Sequence, residues 1–208
     1  MGTCTGKAKN CKIGQILNAD ASCSDYRVNG VEPIGIVAYI SPDGCGQALA
    51  LDRQAGKIWS NEYVDIPGLT NHMDTPPITD FNSCQNTKII LDYSYKEYGD
   101  SAPNYYPAAW AANNFYPSTA PETKGKWCLP AVGVLDSIRQ NKDTIEKSLV
   151  RISKPNISDD SWWSSSERYQ YDAWYWRGST NTIYTGYDGS SYGNKNAYNH
   201  TVRPIIEF

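Results

Sequence analysis

The sequence predicts an α+β domain in which two short helices pack on small, twisted antiparallel sheets, with long ordered loops stapled by disulfides. Three observations predict it. Helix-spaced apolar residues are confined to the middle of the chain, and short β-like runs lie on either side of them. The cysteines, Cys4, Cys11, Cys23, Cys45, Cys84 and Cys128, stand at wide intervals with no close pair of the metal-binding kind, which reads as disulfides in an oxidising compartment. Tyr (16) and Trp (7) far outnumber Phe (3), so most aromatic groups carry a polar handle and suit half-wet surfaces.

Taken in order, residues 1–32 are polar, rich in Gly, Asn and Asp, and hold three of the six cysteines; they read as a disulfide-stapled arm outside the core. The domain proper then spans 33–208. No charged-then-apolar leader opens the chain, and the expectation is that an export signal or tether has been removed ahead of it. Residues 33–41 (PIGIVAYIS) form a strand candidate bounded by Pro33 and Pro42. Ser41-Pro42-Asp43-Gly44 has turn chemistry, and 46–52 alternates apolar and polar residues, which together predict a hairpin. Residues 54–104 carry Pro67-Gly68, Pro76-Pro77 and scattered Asn and Asp, and are expected to be long loops. Residues 107–113 (PAAWAAN) predict a helix with proline in its first turn. Val132, Leu135 and Ile138 share one face of a second helix within 129–140, and Asp143 is expected to cap a further turn or two carrying Ile145 and Leu149. Short strands are expected at 162–167, 173–177, 182–186 and 201–208. Cysteine count alone leaves the pairing open; Cys11 with Cys23 and Cys84 with Cys128 are the expected bonds.

Residues 168–201 have the composition of a paratope. Tyrosines supply contact area at low entropic cost, and Asn, Ser, Gly and Asp supply adaptable hydrogen bonds. The residues expected to face a ligand are Arg168, Tyr169, Tyr171, Asp172, Tyr175, Arg177, Ser179, Asn181, Tyr184, Tyr187, Asp188, Tyr192, Asn194 and Tyr198. The expectation requires those tyrosines to stand outward. The plainer alternative is a solvated polar loop, which leaves a large aromatic area exposed to water.

Several stretches carry a family resemblance: Trp163-Ser164-Ser165-Ser166-Glu167, Ala173-Trp174, Lys195 and Val202-Arg203-Pro204-Ile205 late in the chain, Pro107-Ala108-Ala109-Trp110-Ala111-Ala112 and Trp127-Cys128-Leu129-Pro130-Ala131 in the middle, and Pro33-Ile34-Gly35-Ile36-Val37 with Gly46-Gln47-Ala48-Leu49-Ala50-Leu51 early. In this order they resemble the bacterial C-type-lectin-like domains related to formylglycine-generating enzyme, over residues 33–208. Within that group the chain is most similar to the variable proteins of diversity-generating retroelements, in which adenine-directed mutagenesis rewrites a C-terminal stretch. AAC-type codons yield the Asn, Tyr, Ser, Asp, Gly and Thr that dominate 168–201, whereas Gln170, Trp176 and Lys195 are not reachable from them. The resemblance implies a C-type-lectin-like fold, with Trp163, Ser165, Glu167, Trp174 and Arg203 as packing and hydrogen-bonding supports under the variable surface.

Composition also excludes classes. With 19 basic and 22 acidic residues, net −3 and no basic run, the chain lacks the electrostatic footprint of a nucleic-acid binder. Catalysis is not expected: no cysteine follows Cys128, His72 and His200 lie in unrelated contexts, and Ser164–Ser166 lack a nucleophile elbow. No metal or other cofactor is expected either, since Glu32-Pro33-Ile34 lacks the third oxygen donor of a lectin calcium motif and isolated Asp172 and Asp188 read as turn formers. The resulting expectation is an extracellular or surface-displayed protein of receptor or adhesin type, binding a protein or glycan on another cell or particle. The alternatives are a pilin-like or adhesin subunit tethered to a surface appendage through its N-terminal region, or a sugar-binding lectin module.

Overall fold

Strands β3 (Pro33–Ile40) and β4 (Gly46–Ala50) form the expected hairpin. Its turn is closed by side-chain chemistry: the Cys45 amide donates to Ser41 Oγ at 3.0 Å, and Gly44 takes a φ of 85°, which a glycine adopts without strain. The computed structural model from which this is drawn describes residues 10–69, 75–184 and 194–208. Every residue of β4 is buried, because β11 (Ile205–Glu207) pairs along its other edge and apolar clusters cover both faces. β6 (Trp127–Cys128) lies beyond β11, while β1 (Ile16–Asn18) and β2 (Cys23–Ser24) extend the opposite side, giving the order β2-β1-β3-β4-β11-β6.

Residues 16–24 therefore correct the picture of an arm lying outside the core. Ile16 and Leu17 are buried, and β1 pairs antiparallel with β3. Two apolar residues in a polar stretch are too few to show a period, so only the pairing partner reveals the strand. The expected Cys11–Cys23 bond closes this segment, with Cα atoms 5.6 Å apart.

The second sheet has the order β5-β10-β7-β8-β9, built from β5 (Gln54–Lys57), β7 (Ser161–Tyr169), β8 (Asp172–Arg177), β9 (Thr182–Tyr184) and β10 (His200–Val202). All its pairings are antiparallel except β10 against β7. The chain passes from one sheet to the other between β10 and β11, and Arg203 sits at that crossing. Its guanidinium is buried, donates to the carbonyls of Ala50 and Leu51 at 3.0 Å each, and stacks over the Trp162 ring.

The helical content exceeds the two short helices expected. Helix α3 (Pro107–Asn113) coincides with its predicted span, and α4 (Val132–Gln140) buries Val132, Leu135 and Ile138 as the spacing requires. α5 (Lys142–Arg151) buries Ile145 and Leu149, but Asn141 precedes it and Asp143 lies in its first turn, where a carboxylate favours the helix dipole without capping. The expectation of unbroken loops over 54–104 is overturned by β5, by α1 (Ser83–Tyr98) and by the short α2 (Ala102–Tyr105). The reason is visible in what α1 buries: Ser83, Asn86, Thr87 and Ser94 beside only Ile90 and Leu91. A helix with a polar inner face has no apolar period to read.

Those polar groups are matched by bonds to distant elements. Ser83 Oγ donates to Gln47 Oε1 at 2.7 Å, and Thr87 Oγ1 accepts from the Leu129 amide at 3.0 Å. The Cys84–Cys128 disulfide, expected from the sequence, fastens α1 to β6. Cys45 is disulfide-bonded as well, and no free cysteine occurs among the described residues.

Candidate binding surface

The 168–201 stretch divides among the end of β7, β8, β9 and β10, with Tyr187, Asp188 and Tyr192 lying outside the described residues. β8 is the decisive element. It lies between β7 and β9, and each of its faces meets a different apolar cluster. Trp176 packs with Trp162 in one, and Tyr175 packs with Trp163 in the other. The expectation that Tyr175 stands outward is corrected: it is 0% exposed. A tyrosine at an alternating position of a strand points outward only where that face of the sheet meets water, and here it does not.

Three further candidates are redirected inward. Arg168 and Asp172 are buried against each other in an ion pair of 3.4 Å, with the guanidinium 4.8 Å from the Tyr169 ring centre. Asn181 takes a φ of 51° in the turn after β8, where its Oδ1 accepts from Trp176 Nε1 at 3.3 Å and its Nδ2 donates to the Arg139 carbonyl at 3.2 Å. It is a turn residue that ties the sheet to α4.

Tyr184 and Tyr198 are half-buried ends of a ring column in which Tyr184, Tyr175, His200 and Tyr198 follow one another at 5.7, 4.3 and 6.2 Å. Arg177 covers the Tyr184 ring at 4.9 Å, and Ser179 is exposed in the turn after β8.

An exposed group of rings and amides gathers around a residue absent from the sequence-based set. Tyr63, 39% exposed, meets the ring of Tyr171, 43% exposed, edge-on at 5.2 Å, and Tyr171 in turn meets Tyr169 at 5.5 Å. The Tyr63 hydroxyl donates to Asn194 Oδ1 at 3.0 Å and also reaches Asn196 Oδ1. Three tyrosine rings and two amides thus share one face, fixed by their own contacts. Tyr63 escaped the sequence reading because it sits in a loop more than 100 residues upstream; only chain folding brings it to this face.

Beneath that face lies a wholly buried ion pair, Glu167 with Lys195. Lys195 Nζ also donates to the Val64 carbonyl at 2.9 Å, and the Ile66 amide donates to Glu167 Oε2 at 3.1 Å. The Lys195 backbone accepts from Trp59 and donates to the Tyr171 carbonyl. One ion pair therefore ties two of the segments that carry the exposed face, 59–66 and 194–196, to β7, whose following turn carries Tyr171. Burial pushes the Glu167 carboxyl up to about 7 against the pull of Lys195, and burial lowers the Lys195 ammonium.

The other proposed supports are buried too. Trp163 Nε1 donates to the Lys57 carbonyl at 2.7 Å, and the Ser165 amide donates to the Pro130 carbonyl at 2.9 Å. Trp174 is buried with its indole N–H lacking a partner among the described residues. Among those residues no group of three or more His, Cys, Asp or Glu is placed to hold a metal ion.

The division between buried and exposed tyrosines makes a contrast in stability. Tyr175→Ala is expected to cost about 3–5 kcal/mol, the usual range for emptying a large aromatic site in a core. Tyr171→Ala is expected to stay within about 0.5 kcal/mol of the parent. Urea unfolding of the two variants checks this, and equal losses would reverse the assignment of inner and outer rings.

No protein-family model and no curated protein matches the chain. In fold it is similar to a fimbrial protein from Bacteroides ovatus ATCC 8483, with a TM-score of 0.66 and 16% sequence identity. The match covers 95% of this chain and 49% of that one, so the chain spans about half the length of its structural neighbour. At that identity the likeness is one of fold.

Proposed function

We propose that this chain acts at the cell surface as an adhesive subunit of a fimbria-like appendage, presenting the Tyr63–Tyr171–Tyr169 face to a protein or glycan on another cell or particle. The observation that carries the reading is the fold it shares, along nearly its whole length, with a fimbrial protein. The disulfides support an extracytoplasmic setting, because such bonds persist where the environment oxidises thiols. The exposed face has the composition of a binding surface: rigid aromatic rings that bury area cheaply, beside amides that adapt their hydrogen bonds. In this reading the chain binds without catalysing a reaction and needs no cofactor.

Immunogold labelling of the producing cells tests the placement. Label is expected on filaments or their tips, and label confined to the cytoplasm would end the proposal. Adhesion is tested separately with mucin-coated beads and the Tyr63→Ala/Tyr171→Ala double variant. Bead retention is expected to fall at least about tenfold, as for loss of two aromatic hot spots, with thermal unfolding unchanged.

A second reading treats the domain as C-type-lectin-like and its 168–201 stretch as a diversified surface. It is supported by part of the stretch only: Trp176 and Lys195, which AAC-type codons do not produce, are fully buried and Tyr171 and Asn196 are exposed, whereas Gln170 is half-buried and the reachable Tyr175 and Asp172 are buried. Flanking DNA decides it. A near-copy of the coding segment that differs only at adenines, beside a reverse transcriptase gene, is the expected finding under this reading.

A further inference from the structure

Of the six cysteines, four are paired with one another: Cys11 with Cys23 and Cys84 with Cys128. Cys45, in the β3–β4 turn, is disulfide-bonded too. One cysteine remains to partner it, Cys4, which lies outside the described residues. Cys45 also lines a cavity of about 240 Å³ between that turn, the start of α1 and the end of β11. The Tyr39 and Phe81 rings, stacked at 4.0 Å, wall this cavity, and Asp43 and Glu207 bring two carboxylates to it.

The path of the chain leads to the same place. β1 runs antiparallel to β3, with Ile16 opposite Ile36 and Leu17 opposite Gly35, so residues ahead of Ile16 head towards the Ile40 end of β3. The Gly14 amide donates to the Val37 carbonyl at 2.8 Å, and Cys11 packs on the apolar cluster that Ile40 and Phe208 also touch. Cys4 is six residues ahead of Asn10, the first described residue, a reach of up to about 20 Å when extended. A strand covers about 14 Å from Val37 to Ser41, so the turn is within that reach. Charge agrees with the path. Residues 1–9 carry Lys7 and Lys9 and no acidic residue, whereas no Lys, Arg or His lines the cavity among the described residues. Burial raises the Glu207 carboxyl, while the Cys84 amide and then the chain's positive amino terminus pull it down.

We propose that Cys4 bonds to Cys45 of the same chain and latches residues 1–9 across this cavity, with Lys7 and Lys9 beside the Asp43 and Glu207 carboxylates. The cavity is then a cradle for the chain's own basic segment. The bond forms by exchange with a disulfide-bearing oxidant, whose disulfide is reduced to two thiols as the Cys4 and Cys45 thiols become S–S. A dithiol reductant reverses the exchange and opens the cavity. The latch uses none of the residues of the tyrosine face, so it stands without the adhesive reading. One consequence does rest on that reading: traction arriving ahead of Cys4 enters the fold at β4, held between β3 and β11, and bypasses β1 and β2.

The test is a disulfide map of the full chain, produced under oxidising conditions, with free thiols blocked and trypsin digestion carried out without reductant. Each cysteine falls in its own tryptic peptide, so the pairing is read directly from the joined masses. Peptide 1–7 is expected to be joined to 28–53, from a chain that runs as a monomer on a non-reducing gel. A blocked thiol at Cys4 or Cys45, or the same pair found only in a covalent dimer, would overturn the proposal. Docking of the segment is read separately, from the rate of trypsin cleavage after Lys7 and Lys9 in the native protein. Such cleavage follows the population of the open segment, so Cys4→Ser/Cys45→Ser should be cut at least about tenfold faster. Asp43→Asn/Glu207→Gln keeps the bond, should be cut several-fold faster, and serves should the first variant fail to fold. Parental cleavage rates in both variants would overturn the docking.

Discussion

Lys195→Met is expected to destabilise the fold by about 3–5 kcal/mol once Glu167 is fully ionised, the cost of breaking a buried ion pair from one side. The methionine fills a similar volume, so the loss comes from stranding the Glu167 carboxylate, which keeps its Ile66 amide bond but loses its counter-charge. The pH dependence identifies the cause. Burial holds the Glu167 pKa above its unfolded value of about 4.5 even with Lys195 present, and removing the ammonium raises it further. A carboxyl with a raised folded pKa binds more protons in the folded state, so stability falls as pH climbs from the unfolded value through the folded one. The variant should therefore track the parent up to about pH 7, where the parent's carboxyl ionises, and diverge from it above that value.

Glu167→Gln should behave in the opposite sense. Its stranded Lys195 ammonium has a pKa lowered by burial, so the penalty should shrink as the pH rises through that lowered value towards the unfolded one. Urea titrations at three pH values measure both. A Lys195→Met penalty that stays constant from pH 4 to 8 would mean that lost packing, and not a stranded charge, is responsible. Because the pair anchors both 59–66 and 194–196, the variant should also release the Tyr63 contact with Asn194 and Asn196 at pH 8, visible as sharpened, averaged ring signals.

The second large effect concerns the Cys84–Cys128 bond. It spans 44 residues, and removing it as Cys84→Ser/Cys128→Ser is expected to cost about 4 kcal/mol from loop-closure entropy returned to the unfolded chain. The Cys11–Cys23 bond spans 12 residues, and its removal should cost about 3 kcal/mol on the same grounds. The larger penalty also falls where there is less apolar packing to absorb it, since α1 presents mostly hydroxyl and amide groups to the core. Unfolding midpoints of the two double variants without reductant check the order. A greater loss from the shorter loop would show that local strain, and not chain entropy, sets the contribution of these bonds.

Much of the scaffold was legible because its signals are local. The 33–50 hairpin is written in β-branched residues around a Pro-Asp-Gly turn, and 107–113 in a proline-led alanine run. α4 shows its apolar face at helical spacing. Elements whose stability comes from elsewhere were not legible. α1 is held by Ser83, Thr87 and a disulfide to β6, and β1 by its pairing with β3. Neither leaves a periodic trace.

For the candidate site, the amino-acid order by itself determined the supply of chemistry: a late stretch crowded with tyrosines and amides, cysteines suited to bonding, and a charge balance without a nucleic-acid footprint. Tertiary structure alone decided which of those tyrosines meet water. Tyr171 sits in the turn between β7 and β8 and is exposed, whereas Tyr175, four residues on, is sealed between Trp163 and His200. Only folding brought Tyr63 beside Tyr171 and set Glu167 against Lys195. The physical reason is that side-chain type is a property of one residue, while exposure and ion pairing are properties of whatever the rest of the chain packs against it.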